Sequence, residues 1–93
     1  MKVFVLGIDS AEPDLVFNKW RSKLPTISSL MEDGAWGKIA STVPPITCPA
    51  WVSGLSGYNP GHFGLYDLRY RKPGTYTGFG VVSSRMVTKP RVW

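Results

Sequence analysis

Residues 44–51 constrain the fold of this chain most, because prolines there end one element and permit the next. The pair Pro44-Pro45 cannot donate to a β ladder, so any preceding strand must end before it. Pro49 suits the first turn of a helix, where a missing amide loses no partner. Apolar residues then recur at helical spacing up to a stop at Gly57, namely Trp51, Val52 and Leu55. The sequence therefore predicts a break followed by a helix with Thr47 near its N-cap.

An apolar run rich in Val and Ile occupies residues 2–8. Such a run is typical of a strand buried on both faces of a parallel sheet. Asp9 follows directly, and ligands of open α/β sheets collect at the carboxyl ends of the strands. Asp9 is therefore a candidate for holding a cation or a substrate hydroxyl. The alternative is that Asp9 or Ser10 only caps a helix that runs past Glu12 to Asn18.

A helix and a strand are predicted between Asp9 and Thr47. A helix is predicted from Pro25 or Thr26 to a stop at Gly34. Residues 36–43 alternate loosely and carry β-branched side chains, which favours a second strand. Alternation of strands and helices indicates the α/β class.

The hydroxyl of Thr47 is a candidate nucleophile. At the start of a helix it meets the positive end of the dipole and free amides, which favour bound phosphate and a developing alkoxide. The dipole contributes at most about 2 kcal/mol and cannot ionise an alcohol, whereas zinc lowers the pKa of bound water from about 15.7 to about 7. A Thr nucleophile therefore needs a metal, and Asp9 is one candidate ligand. The alternative is that Thr47 only caps the helix.

Cys48 offers a rival nucleophile, because a thiolate near a helix N-terminus has a lowered pKa. It lacks a base partner, since the only histidine, His62, lies on a predicted loop. A cysteine mechanism is therefore disfavoured. A single cysteine also excludes an internal disulfide, which is compatible with a reducing compartment.

The net charge of +5 arises entirely in the second half of the chain. Residues 1–46 carry equal numbers of basic and acidic side chains, whereas from Thr47 onward only Asp67 opposes a set of basic residues: Arg69, Arg71, Lys72, Arg85, Lys89 and Arg91. Residues 65–70 and 74–82 are predicted to pair as a hairpin. Arg69 and Arg71 on this hairpin are candidate substrate-binding residues that steer an anion. The alternatives are a solvated face and contact with nucleic-acid bases.

A series of motifs covers nearly the whole chain: Gly7-Ile8-Asp9, Leu24-Pro25-Thr26-Ile27-Ser28-Ser29-Leu30-Met31 with Gly34, Ser41-Thr42-Val43-Pro44-Pro45-Ile46-Thr47-Cys48-Pro49-Ala50-Trp51, Ser56-Gly57-Tyr58-Asn59-Pro60-Gly61, Gly64-Leu65-Tyr66-Asp67 and Val82-Ser83-Ser84-Arg85. In this order they resemble the amino-terminal part of the type I phosphodiesterase and nucleotide pyrophosphatase group of the alkaline phosphatase superfamily. Within that group they resemble the prokaryotic phosphohydrolase and phosphomutase members.

The resemblance implies an α/β fold that is part of an alkaline-phosphatase-like doubly wound sheet. Residues 1–93 would form a single partial domain, with the hairpin as a small insertion after the nucleophile helix. The resemblance implies that Asp9 binds metal and that Thr47 binds metal and forms a transient phosphoryl-threonine. It also implies two divalent metal ions, zinc or alternatively manganese, and a substrate that is a phosphorylated small molecule or a phosphodiester.

The chain departs from the family pattern in three ways. It lacks the Asp and His cluster that completes a two-metal site, so we expect a fragment or truncated product with little or no activity of its own. Relatives carry His-Gly where this chain has Phe63-Gly64, so no role transfers to His62. Leu68 stands where nucleotide pyrophosphatases hold phosphate with an Asn, which leaves a broader phosphoester hydrolase.

Two other functions stay open. A phosphomutase would share the nucleophile and the metals. A small basic module for nucleic acid or another polyanion would explain the pI of 9.7, but no nucleic-acid motif appears, so nucleic acid is a disfavoured partner.

The sequence also bears on location and assembly. No apolar stretch approaches the roughly 18 to 20 residues that span a bilayer, and no signal-peptide pattern appears, so we expect a cytoplasmic protein without a membrane partner. Exposed strand edges predict self-association or pairing with a missing remainder.

Overall fold

The structure is a computed structural model that describes residues 1–93. It divides into two compact units, Met1–Ile39 and Ala40–Trp93. Most of the regular structure in both units is helical, and the only sheet is a two-stranded antiparallel one in the second unit. The chain is thus a mixture of helices and a small sheet, which is compatible with the α/β class.

The first unit consists of a π-helical turn, Leu15–Lys19, a 3-10 turn, Arg21–Lys23, and helix α1, Pro25–Asp33. Pro25 occupies the first position of α1, and the amide of Gly34 closes its last turn on the carbonyl of Leu30 at 3.0 Å. The prediction of this helix is therefore confirmed, because Pro25 and Gly34 are local signals that need no distant partner.

The helical region before α1 begins differently from the expectation. The Glu12 carboxylate accepts hydrogen bonds from the amides of Asp14 at 3.0 Å and Leu15 at 2.9 Å, so it satisfies donors of the first turn. Ser10 adopts a left-handed conformation with φ of 57°. The prediction that Asp9 or Ser10 caps this helix is wrong, since Glu12 does so.

The interior of the first unit is small. Met31 on α1 is its only buried side chain, and the rings of Phe17 and Trp36 pack at a tilted angle with centroids 5.0 Å apart. An exposed ion pair joins Arg21 to Glu32 at 3.6 Å. Exposed pairs contribute at most about 1 kcal/mol, so burial around Met31 is the main source of order here.

The second unit contains helices α2, Thr47–Ser56, and α3, Pro60–Phe63. Glycines with positive φ follow each helix, and Gly57 at 76° forms the predicted stop of α2. Helices α2 and α3 pack together. The buried residues of the unit lie in and just after these helices: Pro49, Pro60, Phe63 and Leu65.

The predicted hairpin is present with shorter strands. Strand β1, Arg69–Arg71, pairs antiparallel with β2, Phe79–Val81. The pairing extends at both ends, where the amide of Lys72 donates to the carbonyl of Gly78 at 2.9 Å and that of Val82 to Leu68 at 3.0 Å. A 3-10 turn, Ser84–Met86, follows.

Both predicted parallel strands are absent from the structure. Residues 2–8 and 36–43 form no ladder, and every side chain of residues 2–8 is exposed. A buried parallel strand needs a neighbour on each side and helices on both faces, and none is built around these residues. The apolar composition of residues 2–8 does not by itself provide neighbouring strands or covering helices.

None of the helices has the length and apolar character needed to cross a membrane.

Candidate active site

Thr47 is the first residue of α2, and Ile46 in extended conformation is the N-cap. No side chain caps this end of the helix, and the side chain of Thr47 is exposed. The interpretation of Thr47 as a helix cap is therefore wrong, because its hydroxyl makes no capping hydrogen bond. The hydroxyl is available to solvent and to a ligand.

Two amides beside this hydroxyl lack backbone partners. The first helical hydrogen bond of α2 runs from the amide of Ala50 to the carbonyl of Ile46 at 3.0 Å. Pro49 has no amide hydrogen, so the amides of Thr47 and Cys48 remain free. Free amides at a helix N-terminus favour an anion.

The approach to α2 is held by local hydrogen bonds. The hydroxyl of Thr42 donates to the carbonyl of Pro44 at 2.8 Å, and the amide of Ile46 donates to the same carbonyl at 3.0 Å. Both bonds converge on the carbonyl of Pro44, so residues 42–46 form a tight turn. This turn fixes the direction from which the chain reaches Thr47.

Asp9 lies in the first unit, in a turn that precedes the Glu12 cap. Its side chain is exposed, and it caps no helix. Thr47 belongs to the second unit. The pairing of Asp9 with Thr47 in a metal site stays a prediction.

The metal-ligating side chains of this chain are scattered. No group of three or more His, Cys, Asp or Glu side chains lies together. A two-metal centre requires such a group, since each zinc takes about four ligands. The residues of this chain therefore do not by themselves fit a two-metal centre.

Cys48 is a poor nucleophile in this structure. Partial burial raises the pKa of its thiol, and the carboxylate of Asp67 raises it further. A raised pKa keeps the thiol protonated at neutral pH, and the thiolate is the reactive form. The direction of this shift is consistent with the expectation that a cysteine mechanism is disfavoured.

Arg69 and Arg71 lie on the same face of β1, because alternate residues of a strand share a face. Both are exposed, and neither forms an ion pair. The guanidinium carbon of Arg71 lies 5.9 Å from the ring centroid of Tyr76. This face therefore presents two free cations, one of them beside an aromatic ring.

The match of a family model identifies the group to which these features belong. The model for type I phosphodiesterase / nucleotide pyrophosphatase matches residues 3–93. The chain belongs to this family. No curated protein and no solved structure shows significant similarity to it.

Membership of the type I phosphodiesterase family confirms the resemblance that the motifs indicate. It supports, by resemblance, a hydrolase of the phosphodiesterase or pyrophosphatase kind. The match includes the segment that carries Asp9, the start of α2 and the hairpin.

His62 and Leu68 are the two residues at or beside the positions where the sequence is expected to depart from the family pattern. His62 lies on α3 rather than on a loop, exposed, with its Nδ1 2.9 Å from the Oδ1 of Asn59. The side chain of Leu68 is exposed and apolar. The side chain of Leu68 therefore cannot hydrogen-bond a phosphate, and no role is assigned to His62.

The structure adds two features that sequence patterns do not reveal: a groove whose lining includes a buried serine hydroxyl, and a lysine packed over a tyrosine ring. A groove of about 540 Å³ lies in the second unit and is lined by Ala40, Ser41, Thr42, Val43, Ser53, Gly57, Tyr58, Asn59, Pro60 and Gly61. The Ser53 hydroxyl is buried without a hydrogen-bond partner. Lys89 lies 5.1 Å from the ring centroid of Tyr58. Both features depend on contacts between segments distant in sequence, which no local motif encodes.

Proposed function

We propose that this chain carries the nucleophile of a metal-dependent phosphoester hydrolase, a phosphodiesterase or phosphohydrolase that acts through Thr47. The observation that carries the proposal is the position of Thr47, whose exposed hydroxyl makes no capping bond and stands beside two free amides. Family membership supports the reaction class.

In the proposed reaction the Oγ of Thr47 attacks phosphorus and releases its proton, while the bond from phosphorus to the leaving oxygen breaks. The leaving alkoxide takes up a proton and departs as an alcohol. Water then attacks the phosphoryl-threonine, which releases the phosphate product and restores the hydroxyl. The free amides of Thr47 and Cys48 stabilise negative charge on the phosphoryl oxygens.

Two divalent metal ions, zinc or alternatively manganese, belong to the proposal through the family alone. Asp9 and Thr47 are the ligands that this chain would contribute. They are too few for a two-metal centre. The proposal therefore predicts little turnover by residues 1–93 alone.

The hairpin has a role in the proposal as the insertion that shapes the substrate pocket. Arg69 and Arg71 would attract the phosphoryl group or a second anionic group of the substrate, because their charges are exposed and unpaired. An alkaline-phosphatase-like doubly wound sheet, a cytoplasmic location, and either self-association or pairing with a missing remainder are further parts of the proposal.

A second candidate function is a binding module for polyanions. The observation in its favour is that both ion pairs of the structure lie in the first unit, so the basic residues of the second unit have no acidic partner. A phosphomutase with the same nucleophile is a third candidate, and the residues described here do not separate it from a hydrolase.

Mass spectrometry of the chain after incubation with bis(p-nitrophenyl) phosphate and either zinc or manganese tests the proposal. The divalent ion is supplied in large excess because the chain offers few ligands, and mass spectrometry registers even a slow single transfer, so sustained turnover is not required. We expect one p-nitrophenol to be released and a p-nitrophenyl phosphoryl group to form on Thr47, an adduct that Thr47→Val removes and Thr47→Ser retains. Ser41→Ala is the matched control, because it removes another exposed hydroxyl of the same unit.

Two results would contradict the assignment. The same adduct on a residue other than Thr47 would identify that residue as the nucleophile instead. The binding module would be favoured if the chain bound a polyanion with an affinity that falls as salt rises. In that case no transfer to Thr47 would occur, and binding would not depend on the divalent ion.

A further inference from the structure

An apolar groove of about 220 Å³ lies in the second unit, separate from the exposed Thr47 hydroxyl. One part of its lining comes from α2, with Cys48, Trp51, Val52 and Leu55 at the spacing of a single helical face. The other part comes from the chain after β2: Val82, Ser83, Ser84, Val87, Arg91 and Trp93. The groove is thus a helix face bordered by a returning segment.

A backbone hydrogen bond fixes that segment beside the helix. The amide of Val92 donates to the carbonyl of Leu55, in the last turn of α2, at 2.9 Å. This bond satisfies a carbonyl that a helix end leaves free, and it places Arg91 and Trp93 at the groove. The position of Arg91 is therefore set by backbone structure.

Arg91 is the only charged residue of the groove lining. It forms no ion pair, and its guanidinium carbon lies 5.9 Å from the ring centroid of Trp93. Asp67, the one acidic residue of the unit, is not part of the lining. The groove therefore combines an apolar surface with one cation that lacks a partner.

We propose that this groove binds a single-chain amphiphilic carboxylate, with its hydrocarbon tail along α2 and its carboxylate on Arg91. An apolar cavity of about 150 Å³ accommodates benzene, so about 220 Å³ suits a tail of roughly six to ten carbons. One guanidinium matches one carboxylate through two parallel hydrogen bonds, whereas a doubly charged phosphate would remain half neutralised. This site is independent of the proposed hydrolase function.

Cys48 provides the assay, because it is the only cysteine and lies in the groove lining. The rate of its alkylation by iodoacetamide is measured at a pH of about 8.5, near the pKa of an ordinary thiol, with increasing octanoate or decanoate below the micelle concentration. We expect saturable protection by both acids. Each added methylene should lower the dissociation constant by about twofold to fourfold.

The carboxylate contact is tested with a charge variant and a neutral ligand. Arg91→Gln should raise the dissociation constant of octanoate by about fivefold, which corresponds to the upper end of the range for an exposed ion pair. It should leave the protection of Cys48 by octanol unchanged. Lys72→Gln is the matched control, because it removes one exposed charge in the hairpin turn, outside the groove. It should leave both ligands unaffected.

Three results would overturn the proposal. They are no protection by either acid, equal protection by octanol and octanoate in the unaltered chain, and protection that rises with protein concentration in the absence of any acid. The last result would show that a second copy of the chain covers the groove.

Discussion

Replacing Gly80 with alanine should loosen the hairpin that carries Arg69 and Arg71. Gly80 is the cross-strand partner of Tyr70, and a Cβ added there would lie 2.6 Å from the Cε1 and Cζ atoms of that ring and 2.7 Å from its Oη. Favourable carbon contacts need about 3.5 to 4.0 Å, so the ring must move by roughly 1 Å or leave the strand pair.

The cost follows from this overlap. Overpacking a well-filled site costs about 1–3 kcal/mol, and the half-buried Tyr70 ring has room to swing outward, so we expect about 1–2 kcal/mol for Gly80→Ala. In a Tyr70→Ala background the overlap is gone. There Gly80→Ala should stabilise the strand by about 0.5–1 kcal/mol, because glycine loses more backbone entropy on folding. The sign of the effect should therefore reverse.

Hydrogen exchange of two amides at the ends of the strand pair measures these effects locally. The amides of Lys72 and Val82 donate across the hairpin to Gly78 and Leu68, so their protection reports opening of the pair. A double-mutant cycle over Gly80 and Tyr70 gives the coupling free energy. Equal loss of protection in both backgrounds would refute the claim that the ring contact makes glycine necessary.

Three further predictions concern other contacts. Glu12→Ala should destabilise the first helical turn by about 1 kcal/mol, measured as faster hydrogen exchange of the Asp14 and Leu15 amides. Glu12→Gln should destabilise this turn less, because its side chain keeps one oxygen acceptor. Hydrogen bonding from Asn18, and then from Lys19, lowers the pKa of Asp14, so its stabilising effect should be complete above the ordinary Asp pKa and lost as pH falls through the lowered value. An NMR titration of Asp14 checks this, and Asn18→Ala should move its pKa back upward. Asp67→Asn should lower the raised pKa of Cys48 and speed its alkylation at neutral pH, and an unchanged rate would contradict the role of that carboxylate.

The elements that could be predicted from the sequence are those with local signals. Pro25 and Gly34 delimit α1, and Pro49 and Gly57 mark the first and last turns of α2. The hairpin follows from turn residues between two short segments that are close in sequence. Each of these signals acts within a few residues, so each determines structure without help from distant parts of the chain.

The predicted strands failed because a buried parallel strand is defined by its neighbours. Residues 2–8 have the composition of such a strand, but parallel pairing requires another strand reached through a crossover, and the structure contains none. The Glu12 cap was missed for a different reason. Asp and Ser lead at N-caps, which favoured Asp9 and Ser10, whereas in the structure the carboxylate of Glu12 accepts from the first-turn amides of Asp14 and Leu15.

The candidate site shows the same division between local and distant determinants. The sequence could indicate Thr47 as an exposed hydroxyl at the start of α2, because the prolines on either side act locally. Its possible metal partners are determined by contacts across the fold, and the chain brings no such cluster together. The apolar groove beside α2 likewise required the bond from Val92 to Leu55, which closes a contact across many residues. The position of a nucleophile depends on its own helix, whereas a metal centre depends on several elements, so a local sequence signal can indicate Thr47 but not the ligands that would join Asp9.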